Sequence, residues 1–173
     1  MGELFKWLDT QSPERAIAAT LTFDQWSGRA DRDAWEARRI FRLFLARVNR
    51  KTYRNAFCRH GKRLTVIPVL EGGGSTNKHY HYHVLIEVPH FMNAAQFVEI
   101  MKQAWGRLRG TGIQNTWKEC ENSGWLQYML KDRDKDDLLD AIDVCNLWLN
   151  KITPTLRRAS FGVAVNRGPS AYP

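Results

Sequence analysis

Three of the chain's five histidines fall within five residues: His79, His81 and His83, in the stretch NKHYHYHVLIEVP, 77–89. They alternate with Tyr80 and Tyr82 and run directly into an apolar segment. In a β-strand, residues two apart project from the same face. The spacing therefore directs three imidazoles to one side of a sheet and Tyr80, Tyr82, Val84 and Ile86 to the other. Two imidazoles at i and i+2 on a strand reach one metal ion through neutral ring nitrogens. Glu71 ends the preceding apolar run, RLTVIPVLE, 63–71, just before the Gly-rich EGGGSTN. That Gly-rich stretch reads as a hairpin loop, so the Glu71 carboxylate can join the imidazoles. A His-His-Glu set leaves positions for water and a phosphate oxygen, which suits Lewis-acid chemistry on phosphate. No cysteine stands at ligand spacing nearby, so a thiolate zinc site is not indicated.

The charge of the chain points to the same class of substrate. Twenty-six Lys and Arg against 18 Asp and Glu give a formal net charge of +8 over 173 residues. Residues 47–63, RVNRKTYRNAFCRHGKR, hold seven Lys or Arg and no acid, with Tyr53 and Phe57 interleaved. A long run of one sign that includes aromatics suits a surface tracking the phosphates of nucleic acid. Arg50, Lys51, Arg54 and Arg59 are its candidate contacts. The segment 150–173 has four basic residues and no acid. No apolar run reaches membrane-spanning length, the N-terminus does not read as a signal peptide, and three cysteines without C-x-x-C spacing suggest reduced thiols. No G-x-x-x-x-G-K-[ST] occurs, so no ATPase engine is recognisable.

The elements that must hold these residues can be read from periodicity and punctuation. RAIAATLTF, 15–23, predicts a strand, and 31–53 a helix capped by Asp31 or Asp33, with Trp35, Ile40, Phe44, Leu45 and Val48 on one stripe. Residues 63–71 and 79–88 predict a hairpin, with Pro68 marking an edge or bulge. Asn93 caps a helix over 94–108. A strand over 112–120 and helices over 123–132 and 136–150 complete the reading. The order β-α-β-β-α-β predicts an α+β fold of the split-βαβ (ferredoxin-like, RRM-like) kind: a central antiparallel sheet, helices mainly on one face, and the active site on the open face.

With those elements in place, a resemblance becomes specific. His81-Tyr82-His83 followed by Val84-Leu85-Ile86, with Glu71 upstream, resembles the metal motif of the HUH endonucleases. These include the replication-initiator (Rep) proteins of rolling-circle plasmids, phages and single-stranded DNA viruses. His79-Tyr80-His81 fits the triplet too; His81 and His83 are preferred because the apolar run follows His83 directly. ATLTF, Ala19 to Phe23, resembles the family's first motif. QYMLKD, with Tyr128 and Lys131, resembles its Tyr-x-x-Lys motif. The three motifs occur in the family's order over residues 19–131.

The resemblance implies a sequence-specific nicking and rejoining enzyme that initiates rolling-circle replication. Tyr128 would be the nucleophile. Lys131, one helical turn on, would neutralise phosphate charge or favour the phenolate, and Trp125 would pack beside the tyrosine or against a base. A Mg or Mn ion would sit on His81, His83 and Glu71. The implied partner is single-stranded DNA at an origin, with no membrane. The missing ATPase implies a helicase recruited from the host or carried outside this chain. The expected organisation is one nuclease domain over 1–150 and a basic, partly ordered tail over 151–173. The expected location is the cytoplasm of a bacterial host, or the nucleus for a eukaryotic virus. Three rivals stand beside this reading: a single-tyrosine HUH transposase, a non-catalytic module that binds single strands on its sheet, and a zinc-dependent hydrolase using the histidines, which would form no protein–DNA adduct.

Overall fold

The computed structural model describes residues 3–24, 33–73, 79–120, 124–129 and 140–150. Its elements are α1 (Glu3–Gln11), β1 (Ala16–Thr22), α2 (Ala34–Tyr53), α3 (Asn55–His60), β2 (Val66–Glu71), β3 (His81–Glu87), α4 (Ala94–Gly106), β4 (Thr116–Cys120) and α5 (Gly124–Met129). The four strands form one sheet in the order β2-β3-β1-β4, with every neighbouring pair antiparallel. This is the split-βαβ sheet that the element order predicts.

Alternation along the strands sorts the side chains into two layers. Ile17, Ala19 and Leu21 of β1, with Tyr82, Val84 and Ile86 of β3, pack under α2 and α4 against Phe41, Phe44, Phe97 and Trp105. The caps that start these helices are local. Asp33 accepts a hydrogen bond from the Glu36 N–H at 2.7 Å, and Asn93 accepts one from the Gln96 N–H at 2.8 Å. Each satisfies a first-turn donor that has no intrahelical partner. Trp35, which the helical stripe assigns to the core, is instead 67% exposed, because it lies in the first turn of α2, ahead of the stripe that meets the sheet.

The second face carries a smaller apolar layer of Ala16, Ala18, Ile67, Val69 and Leu85, covered by Phe5 and Leu8 of α1 and by Leu126 and Met129 of α5. Helix α1 is an element that periodicity alone does not predict. It leaves the rows nearer the β2–β3 hairpin for the polar site.

Two expected elements differ in form. The predicted strand over 112–120 is ordered as a strand only from Thr116. Before it, the Asn115 side chain accepts the Thr22 N–H at 2.8 Å and donates to the Gly112 carbonyl at 2.8 Å, so these backbone groups are satisfied by a loop. The helix predicted over 136–150 is not continuous in its described part. Ile142 bridges Val69, and Trp148 bridges Val66, laying the segment along the outer edge of β2. Pro68 fits there because an edge position needs no N–H from it, while its carbonyl accepts from the Asp143 N–H at 3.1 Å. Lys131, most of the Gly-rich loop and the tail 151–173 lie outside the described residues.

Candidate metal centre and tyrosine face

The hairpin of β2 and β3 is in register with Glu71 opposite His81 and Val69 opposite His83. On its other side β3 pairs with β1, placing Thr22 opposite His81 and Thr20 opposite His83. Period-two alternation then puts Glu71, His81, His83, Thr20 and Thr22 on one face. The turn out of β2 depends on glycine. Gly72 and Gly73 have φ of 93° and 76°, and a Cβ at Gly73 would collide with the Tyr80 ring.

Glu71 Oε2 lies 3.6 Å from His81 Nε2 and 3.8 Å from His83 Nε2. One ligand atom from each of the three residues falls within 4.8 Å of the others. The far ring nitrogens are engaged. His81 Nδ1 lies 3.0 Å from the His79 carbonyl, which only accepts, so Nδ1 carries a hydrogen, and in the neutral ring Nε2 then offers its lone pair. His83 Nδ1 lies 3.1 Å from Thr20 Oγ1. Ring orientation fixed from the far nitrogen is what a metal-bearing histidine needs. The donor set, two imidazole nitrogens and one carboxylate oxygen, fits a divalent ion with positions left for other ligands. The structure thus brings together His81, His83 and Glu71. His79 contributes its backbone carbonyl to the arrangement.

Helix α5 brings two more of the sequence candidates to this face. The Tyr128 ring centroid lies 6.4 Å from that of His83, and the Trp125 centroid 6.5 Å from it. Trp125 and Tyr128 stack at 4.9 Å, one helical turn apart. Leu126 and Met129, both buried, pin the helix to the sheet, while Tyr128 is 60% exposed. Two other tyrosines have phenols raised above their ordinary range. Tyr82 is buried against Phe41, with its hydroxyl donating to Asp143 Oδ2 at 2.7 Å. Burial, and then the Asp143 charge, hold its phenol far above the usual tyrosine range. Burial, and then the Glu87 charge, push Tyr53 up to about 12. Tyr80 packs on the α2–α4 side. Tyr172 lies outside the described residues.

The basic candidates occupy another region. Arg50 and Lys51 end α2, Arg54 joins it to α3, and Arg59 is in α3, ahead of the start of β2. Glu71 ends β2, five residues beyond Val66, which is roughly 17 Å along a strand. Lys51 donates to Gln103 of α4 at 2.9 Å, which places it on the side of the sheet away from the histidines. Sequence reasoning misses two contributors. Thr20 reads only as part of a strand, although a hydroxyl two residues from Thr22 on a neighbouring strand is the available signal. Asp143, 1% exposed, falls in a predicted helix, and its partnership with Tyr82 spans 61 residues of sequence.

A four-stranded antiparallel sheet with two histidines and a glutamate converging at one hairpin, and a tyrosine helix beside them, defines a protein with a candidate metal centre on its sheet face. The particular family follows from the sequence over the same elements. Residues 16–137 match the family model of the replication-associated protein ORF2/G2P, and the chain belongs to that family. The replication-initiator resemblance read from the motifs agrees with it. No match was found among curated proteins or among solved structures. No helix among the described residues is long and apolar enough to cross a membrane.

Proposed function

We propose that this protein is an HUH-type endonuclease that nicks single-stranded DNA at a replication origin and starts rolling-circle replication. The observation that carries the reading is the placement of Tyr128, exposed and ring-to-ring with His83, next to the convergent Glu71, His81 and His83.

His81, His83 and Glu71 would hold a Mg or Mn ion, which supplies Lewis-acid polarisation of the phosphate when bound. The chain's own residues do the rest. Tyr128 Oη attacks phosphorus, the bond from phosphorus to the 3′ oxygen breaks, the phenolic proton leaves Oη, and the departing oxygen takes up a proton. The products are a 5′-phosphotyrosine on Tyr128 and a free 3′-hydroxyl. One phosphate ester replaces another, so no ATP is consumed and the reverse reaction rejoins the strand. A phenol is a weak nucleophile near neutral pH and gains from a charge-neutralised phosphate. Lys131, three residues after Tyr128 in the sequence, is assigned the neutralising role. Trp125 stacks on the Tyr128 ring and offers a stacking surface for a flanking base. Arg50, Lys51, Arg54 and Arg59 are assigned non-specific phosphate contacts on the remainder of the DNA, and a host helicase the unwinding that this chain has no motif to drive.

The test is incubation with a library of single-stranded oligonucleotides and Mn²⁺, followed by denaturing electrophoresis and peptide mass spectrometry. A denaturant-resistant adduct carrying the 3′ portion of the strand on Tyr128 is expected, and Tyr128→Phe should lose it while still binding DNA. An adduct on any other tyrosine, or cleavage that persists in Tyr128→Phe, refutes the assignment.

A further inference from the structure

A cleft of about 340 Å³ opens between α2, the α3–β2 connection and the segment 145–148, at the end of the sheet where β2 begins. Its floor is apolar, with Leu45 and Leu64, and its walls carry Arg42, Arg63, Phe57 and Trp148. The Arg63 guanidinium lies 4.7 Å from the Trp148 ring centroid and 5.6 Å from that of Phe57. The arrangement is braced from behind by Asn150. Its side chain donates to the Arg63 carbonyl at 2.9 Å and accepts from Trp148 Nε1 at 3.0 Å. Among the described residues, neither Arg42 nor Arg63 has a carboxylate partner.

Two uncompensated guanidinium groups in a concavity call for an anion. The guanidinium held against aromatic rings keeps its N–H edge available for phosphate while its plane, with Trp148, offers a stacking surface. An anion with a flat ring attached is a nucleotide. The cleft suits one unstacked unit, and the one-sign basic run 47–63 borders it through Phe57 and Arg63. A base inside a duplex is already stacked and paired and cannot present its face to such a pocket. We propose that this cleft is a second nucleic-acid subsite that takes one unpaired nucleotide of a DNA strand, its base on the Arg63–Trp148 surface and its phosphate on Arg42. The inference rests on the proposed function only in taking DNA as the polymer. The subsite and the triad stand at opposite ends of β2, so a strand that occupies both is gripped at a distance from the cleavage point.

Cys145 lines the cleft and is exposed, and Cys58, also exposed, does not line it. This provides a readout that involves neither metal nor nicking. The full chain is alkylated with N-ethylmaleimide in EDTA, with and without a short oligothymidylate, and the rate at each cysteine is read by peptide mass spectrometry. At an oligonucleotide concentration about ten times its Kd, mass action should slow Cys145 by about tenfold, while any slowing of Cys58, which adjoins Arg59, reports the basic run and not the cleft. A fully paired duplex should not slow Cys145, and the Arg42→Gln, Arg63→Gln double variant should lose the protection with its circular dichroism intact. No slowing at Cys145, protection of Cys145 that survives in the double variant, or equal protection by duplex overturns the proposal. Protection without nicking leaves this subsite standing and the endonuclease reading failed, whereas nicking without protection does the reverse.

Discussion

Thr20 Oγ1 and His83 Nδ1 lie 3.1 Å apart, directly across the pairing of β1 with β3. The contact fixes the imidazole from behind and leaves Nε2 facing Glu71. Thr20→Val keeps the shape of the side chain and removes the hydroxyl. Mn²⁺ affinity measured by calorimetry should fall by about 10- to 100-fold, as for other partners that orient a metal-bearing histidine. Thr20→Ser should restore most of it. Unaltered affinity in Thr20→Val would show that the ring is positioned by packing alone.

His81→Ala and His83→Ala each remove one of the two imidazole donors beside Glu71. Nicking should drop to background in both, while DNA binding in EDTA should match the parent protein, because phosphate contacts to basic residues supply that affinity. His79→Ala should nick normally, since only its carbonyl engages His81. Loss of activity in His79→Ala with activity retained in His83→Ala would move the site by two residues.

The basic residues of α2 and α3 sit far enough from the triad to be separated from it by mutation. Replacing Arg50, Lys51, Arg54 and Arg59 with Gln should weaken binding equally for all sequences. The slope of log affinity against log salt should fall by about 0.7 for each single-strand phosphate that is no longer neutralised. A slope that does not move would make this run a solvated surface.

Two tyrosines tie stability to alkaline pH. Tyr53 is pushed up to about 12, mainly by burial, and Tyr82 is raised in the same direction. A folded-state value above the unfolded value means that the fold favours the protonated phenol. The stabilisation is therefore complete below about 10, the unfolded value, and is lost as pH rises through the folded one. The urea midpoint should be insensitive to these groups up to about pH 10 and fall above it. Tyr53→Phe should make that fall shallower; an unchanged alkaline slope would mean that Tyr53 ionises alike in both states.

The sheet is legible in the sequence because each strand carries its own pattern. Alternation in HYHVLIE separates the histidines from the Tyr82 side, and the register then follows from the hairpin. The metal candidates are legible for the same reason: all three lie on one hairpin, so their proximity is local. What is not legible depends on long-range contact. Helix α1 has only two buried residues, Phe5 and Leu8, too few to announce a face before the sheet exists to receive them. The segment 142–148 has helical spacing but is drawn out by backbone pairing to β2 and by Asp143, which reaches Tyr82 and lies 3.8 Å from Arg38. Thr20 gains its role only when strands 63 residues apart in sequence are paired.

The strip of chain at 142–148 also bears on how copies of this protein meet. A bare edge strand is a template for another chain's backbone, and sheets with two bare edges can grow into aggregates. Here one edge, β2, has its outward Val66 and Pro68 groups taken by Trp148 and Asp143. The other, β4, is five residues long and exposes Lys118 and Glu119. Short length and charge both discourage a neighbour from adding on. Among the described residues the sheet is thus guarded against growth at each side by a different device, a backbone cover on one edge and a short charged strand on the other.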